Sequence, residues 1–203
     1  MTQSQLPQIV VMASGSGTNL QAIMDAITKD RIRGEIALVV SNHNNAYALE
    51  RAEKAGIPTL YFPLKPYKVS GKARELYDAD LAAQIQPYQP DLIVLAGWMH
   101  ILSDSFLKHF PRRVINLHPA LPGAFAGKDA IARTFDAYHR GATNEGGCMM
   151  HFVIPEVDAG PVILEARVAI ESAENLAEYE QMIHAAEHQV IVQAVALVLE
   201  GQA

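Results

Sequence analysis

The stretch QIVVMASGSGTNLQAIMDAITK, residues 8–29, sets three kinds of local order end to end. QIVVMA (8–13) is a short apolar run rich in β-branched residues, the composition of a strand buried on both faces. Serines and glycines then interrupt it, and from Asn19 onward apolar side chains return at helical spacing. Strand, glycine turn and helix open a βαβ unit, from which mostly parallel sheets are built. The same alternation continues outward. EIALVVS (35–41), TLYF (59–62), DLIVLAG (91–97) and RVINLH (113–118) read as further strands. NLQAIMDAITK (19–29), AYALERAEKAG (46–56), GKARELYDADLAAQI (71–85), SDSFLKHF (103–110) and DAIARTFDAYHRG (129–141) read as helices, two of them stopped by glycine. GCMMHFVIPEVDAGPVILEARVAI (147–170) reads as two strands around an irregular turn, and residues 172–199 as one long helix. Two prolines, a Ser-Gly pair and two lysines make PLKPYKVSG (63–71) the expected mobile surface loop. The pattern predicts an α/β, Rossmann-like fold in a single domain, 1–203, with a mostly parallel sheet flanked by helices, an antiparallel extension and a long C-terminal helix.

Composition narrows the partners. The chain has 203 residues, half of them apolar, with 16 Lys plus Arg against 22 Asp plus Glu for a formal charge of −6. No basic run is present, which argues against nucleic acid. No unbroken apolar stretch approaches the roughly 18 residues of a membrane span, and residues 1–11 do not read as a secretion signal. A single cysteine, Cys148, excludes an internal disulfide framework. The expectation is a cytoplasmic protein acting on small molecules, with no nucleic acid or membrane partner, as monomer or homodimer.

The glycine turn fits neither common nucleotide fingerprint. After Gly15 and Gly17 the third glycine position of a dinucleotide loop is Leu20, and VVSNHN lacks the ribose-binding acid. No Gly-Lys-Ser/Thr follows either, so the Walker pattern fails. A loop whose N–H groups hold one phosphate remains, beside the simpler reading of a turn with a Thr18 or Asn19 cap.

VINLHPALPG (114–123) runs from apolar strand into Asn116, His118 and two prolines. Residues two apart on a strand point the same way, so the pair projects together at the C-terminal edge, where open α/β sheets bind ligands. An amide donor beside an imidazole suits acyl transfer, which builds an oxyanion and moves protons; the alternative is two polar residues satisfied within the fold. Asp158, in a Gly-Pro turn, is the candidate third group, expected to raise the His118 pKa above about 6.5. HAAEH (184–188) matches the H-x-x-E-H pattern of inverted zincins, so a zinc hydrolase using His184 and His188 is a competing reading, weakened by Glu200 being the sole downstream acidic ligand candidate. Cys148 and His151 fall on opposite faces of a strand and do not pair as nucleophile and base, and His43, His100, His109 and His139 are expected at the surface.

Together SGSGTNLQAI, VVSN, AGIPT, PDLIVLAGWMHIL, INLHP, GCMMHFV, VDAGPVI and AEH, in this order, resemble the phosphoribosylglycinamide formyltransferases, folate-dependent enzymes of purine synthesis. The resemblance spans about 8–201. It implies that a formyl group passes from 10-formyltetrahydrofolate to the amine of glycinamide ribonucleotide without a metal. It implies catalytic roles for Asn116, His118 and Asp158. It assigns the ribonucleotide to Gly15, Gly17, Thr18, Asn19 and Glu187, and the folate to Arg74, Met99, His100, Ile101, Leu102 and Asn116. Residues 1–100 would form the ribonucleotide side and 100–203 the folate and catalytic side.

Departures from the family pattern fall at three places. Trp98-Met99-His100 stands where Phe-Met-Arg is usual, and Ala120-Leu121-Pro122-Gly123 replaces Ser-Leu-Leu-Pro, while Met149-Met150 replaces Thr-Val. His100 lacks arginine's permanent charge and forked donors. Two relatives share the Asn-x-His and Asp constellation: methionyl-tRNA formyltransferase, which adds a tRNA domain, and formyltetrahydrofolate deformylase, which adds a regulatory domain and uses water as nucleophile. The phosphate loop and chain length favour the ribonucleotide enzyme, with the deformylase as alternative.

Overall fold

Strand β1 (Gln8–Met12) lies inside the sheet with a paired strand on each side, which is why Ile9, Val10, Val11 and Met12 are all apolar: none is solvent-exposed. In this computed structural model, which describes residues 5–203, the chain continues as α1 (Thr18–Thr28), β2 (Glu35–Ser41), α2 (Tyr47–Lys54), β3 (Thr59–Tyr61), α3 (Lys65–Val69), α4 (Arg74–Ile85) and β4 (Leu92–Leu95). It is completed by α5 (Asp104–Leu107), β5 (Val114–His118), α6 (Ala130–His139), β6 (Gly146–Phe152), β7 (Val162–Val168) and α7 (Leu176–Leu199). The strand order is β3-β2-β1-β4-β5-β6-β7, parallel through β5 and antiparallel for β6 and β7. The α/β expectation and the antiparallel extension both hold.

Alternate strand residues feed two cores. Ile9, Val11, Val39, Ile115 and Met150 meet α1, α2 and α7 on one face. Val10, Met12, Leu38, Ile93 and Val114 meet Tyr77, Leu81 and Ile85 of α4 and Phe106 of α5 on the other. By length and composition α7 could cross a membrane, with a window of mean hydropathy 1.4, but here its apolar side chains pack against α1, α6, β6 and β7.

Three boundaries differ from expectation. Residues 63–71 contain α3 rather than an irregular loop: Pro66 sits in the first turn, where its missing N–H costs nothing, and Tyr67 packs against Phe62 and Tyr77 while its hydroxyl donates to Asp80 Oδ2 at 2.7 Å. The helix expected from 172 begins at Leu176, because Asn175 caps it by accepting from the Glu178 N–H at 3.0 Å; a short 3₁₀ turn, Ile170–Ser172, precedes it. The 103–110 helix shortens to α5.

Candidate active site

Strands β2 and β4 flank β1 on opposite sides, so the chain connections leaving them diverge and open a crevice at the carboxyl ends. One wall is the β1–α1 loop. Gly17 there has φ +70°, and a Cβ on it would lie 2.8 Å from the Cα and Cβ of Ala48, so both conformation and close helix contact require glycine. No side chain caps α1, leaving the N–H groups of its first turn available, and the Asn19 Oδ1 is buried without a partner. Gly15 has open space around it.

The facing wall, residues 98–102, is pinned from beneath. Asp78, fully buried, accepts from Arg74 Nε at 3.0 Å and from the Ser103 N–H at 2.9 Å, while Arg74 also donates to the Ile101 carbonyl. Arg74 lines the cleft, but its guanidinium is already engaged in positioning this wall. Trp98 and Leu102 turn inward; Met99 and Ile101 stay 60% and 63% exposed as an apolar rim. His100 is half-buried, not the surface residue expected from spacing. Ser14 Oγ donates to Asn42 Oδ1 at 2.6 Å, which turns the Asn42 amide nitrogen toward His100 Nε2 at 3.1 Å and leaves the imidazole proton on Nδ1. Burial first, then the charges of Arg74 and Lys68 and the nearby His43, push the His100 pKa down to about 4.

Between these walls the C-terminal end of β5 carries Asn116 and His118 on one face, as strand parity requires. The β6–β7 loop doubles back over that face. Gly160 is needed there, since a Cβ would collide with the Phe152 carbonyl oxygen at 1.8 Å. The loop delivers Asp158, held at φ +52°, a region Asp tolerates better than most residues. Asn116 Nδ2 donates to Asp158 Oδ1 at 3.2 Å, His118 Nδ1 stands 3.3 Å from Oδ2, and the Gly127 N–H donates to Oδ2 at 2.8 Å. The three groups singled out in the sequence therefore converge on one carboxylate.

A fourth member was missed. His151 pairs across the strands with Asn116, and its Nε2 lies 3.2 Å from Asn116 Nδ2 and 3.5 Å from Asp158 Oδ1, while the Phe152 carbonyl engages Nδ1. Weighing His151 only against Cys148, which does lie buried in the opposite core, hid this role. The available signal was an imidazole interrupting the apolar run CMMHFV, the feature that drew attention to VINLH.

The electrostatics overturn one expectation. Burial is the strongest influence on His118 and pushes its pKa down; Asp158 pulls it up without compensating, and His151 and Arg133 push it lower. His118 is thus neutral near pH 7, with Nδ1–H toward Asp158 and Nε2 buried without a partner. Burial also pushes the Asp158 carboxyl up, but the hydrogen bonds from His151 and Gly127 and the charges of His118 and His151 outweigh it, so it ends below its usual range.

On α7, Glu187 is buried, lines the same cleft and accepts from His184 Nδ1 at 2.8 Å; that bond is the main reason His184 titrates above its ordinary value. HAAEH is therefore a cleft carboxylate with a histidine partner. Among the described residues no group of three or more His, Cys, Asp and Glu is arranged to hold a metal ion. The cleft, about 1260 Å³, joins residues 14–19, 98–102, Asn116, His118, Asp158 and Glu187.

Comparison with known proteins agrees with this geometry. The formyl transferase family pattern matches residues 7–195. The chain is 49% identical over 195 residues to phosphoribosylglycinamide formyltransferase of Schizosaccharomyces pombe, covering 92% of this chain and 94% of that protein. It is 44% identical to the Dictyostelium discoideum protein of the same name, covering 93% and 96%. The crystal structure of glycinamide ribonucleotide transformylase 1 from Symbiobacterium toebii superposes with a TM-score of 0.89 at 39% identity, covering 98% of this chain and 90% of that one.

Proposed function

The chain belongs to the formyl transferase family, and from that premise we infer that it transfers a formyl group to the amine of glycinamide ribonucleotide in purine synthesis, with 10-formyltetrahydrofolate as donor. The observation that carries the chemistry is the convergence of Asn116, His118 and Asp158 at the end of β5, inside a cleft that also contains a free helix N-terminus.

In this reading the ribonucleotide phosphate lies on the β1–α1 loop at Gly15, Gly17, Thr18 and Asn19, with Glu187 beside the ribonucleotide. The folate lies along Met99, His100, Ile101 and Leu102, a wall that Arg74 holds in place. The substrate amine attacks the formyl carbon, forming a C–N bond and a tetrahedral oxyanion. Neutral His118 accepts the amine proton at Nε2, and the ionised Asp158 stabilises the imidazolium that results. Asn116 Nδ2 turns to the oxyanion by giving up one of its two present partners, Asp158 or His151. As the intermediate collapses, the bond from carbon to folate N10 breaks, N10 takes the proton from His118, and the formylated amide leaves.

The test is to incubate the protein with 10-formyltetrahydrofolate, with and without glycinamide ribonucleotide, and follow tetrahydrofolate release. Release that requires the ribonucleotide supports the proposal. Release at the same rate without it identifies a deformylase, and no release in either mixture refutes both.

A further inference from the structure

We propose that Arg133, on α6 and outside the substrate-contacting set, is a positioning residue that holds the 123–129 loop so that the loop's backbone sets the His118–Asp158 pair. The loop follows the ALPG segment in which this chain departs from its family pattern. Every second residue from Gly123 to Asp129 has positive φ: Gly123 at 75°, Phe125 at 49°, Gly127 at 85° and Asp129 at 56°. Phe125 and Asp129 carry side chains in a region that L-residues rarely adopt, so this path needs an external restraint.

Arg133 supplies one. Its Nη1 donates to the Ala126 carbonyl at 2.8 Å and to the Lys128 carbonyl at 2.9 Å, bracketing Gly127 on both sides, and its guanidinium lies 5.7 Å from the centre of the Phe125 ring. Bracketed in this way, Gly127 directs its N–H at Asp158 Oδ2, the same oxygen that faces His118 Nδ1. One exposed arginine thereby fixes the backbone donor that sets the Asp158 oxygen facing His118. The other titratable or charged groups at the pair are His151, on β6, which faces Asp158 Oδ1, and Arg133 itself, whose charge disfavours the imidazolium.

The proposal deepens the formyl-transfer reading, and its test includes a readout independent of it. Arg133→Met removes both Nη1 hydrogen bonds at similar length; Arg133→Lys keeps the charge but replaces the planar guanidinium with a shorter-reaching ammonium. The expected result for Arg133→Met is a kcat about 10- to 100-fold lower with little change in KM, because a displaced loop misplaces the catalytic pair. The acidic limb of its pH–rate profile moves to higher pH, since Asp158 loses the Gly127 bond that favours its ionised form. In an Asp158→Asn background the same change costs less than threefold, because the effect acts through Asp158. In the unliganded protein, NMR titration of the Asp158 carboxyl shows the same upward displacement, whether or not the enzyme transfers formyl groups. Arg133→Lys moves the carboxyl titration in the same direction by less, and carries the test if the Met variant does not fold. A carboxyl titration that superimposes on wild type in both variants, or equal loss of kcat with and without Asp158, overturns the proposal.

Discussion

Replacing Asp158 by Asn tests whether the carboxylate works by orienting His118 or by its charge. Its two oxygens face different partners: Oδ2 accepts from the Gly127 N–H and faces His118 Nδ1, while Oδ1 accepts from Asn116 and faces His151 Nε2. A backbone N–H can only donate, so the new amide must turn its oxygen toward Gly127 and therefore also toward His118. Its NH₂ then points at His151 Nε2, which can accept. The His118 proton stays on Nδ1, and what is lost is the charge together with the bond that Oδ1 accepts from Asn116 Nδ2. At 3.3 Å and an effective dielectric of about 20, that charge stabilises the imidazolium by about 5 kcal/mol. Partial solvent screening trims the effect, so kcat is expected to fall by about 10³. Loss of the correct tautomer would cost about 10⁴ in a comparable triad. Steady-state formyl transfer gives the rate, and ¹⁵N NMR of the His118 ring gives the tautomer. A kcat within tenfold of wild type, or a proton found on Nε2 in the neutral ring, refutes the reasoning.

Three further outcomes follow from the same geometry. Asn116→Ala lowers kcat by about 10²–10³ while leaving KM for the ribonucleotide nearly unchanged, the pattern of a lost oxyanion donor; wild-type kcat would remove it from the mechanism. Gly17→Ala adds about 1 kcal/mol of backbone strain and about 1–3 kcal/mol of overpacking against Ala48, so its Tm falls by about 4–16 °C, whereas Gly15→Ala, with open space around it, stays within about 2 °C. Calorimetry of the unliganded protein should show stability falling as the pH drops from about 6.5 toward 4, because His118 and His100 have folded pKa values below the unfolded one and the unfolded chain takes up the protons first. Asp158 adds to the loss below about pH 4, while half-exposed His184, raised by Glu187, opposes it weakly; a Tm that rises on acidification refutes the assignment.

Element type was legible wherever one periodicity held for long enough, as in β1 with α1, because burial of a strand on both faces or of one helix stripe leaves a direct mark on residue choice. The 63–71 segment was misread because what holds α3 is distant in sequence: Tyr67 finds its partners at Phe62, Tyr77 and Asp80, and local propensity cannot register them. The start of α7 depended on one cap, Asn175, inside a polar stretch where several residues could have served.

The site divides along the same line. Asn116 and His118 were readable because parity is a property of one strand, but His151 belongs to the site through the register between two. Asn116 stands opposite His151 only because β6 runs antiparallel to β5, and that reversal brings a second imidazole onto the Asp158 carboxylate. The direction of the His118 shift was less accessible still, since it is decided by a balance. A neighbouring carboxylate raises the pKa of an exposed histidine, yet here the ring is buried, and desolvation wins. The consequence is chemical. An imidazolium at rest could only donate to a developing oxyanion, whereas a buried neutral ring, its Nδ1–H directed at Asp158, offers the Nε2 lone pair that an attacking amine needs to lose its proton. Burial thus decides which partner His118 serves first: the amine as base, then folate N10 as acid.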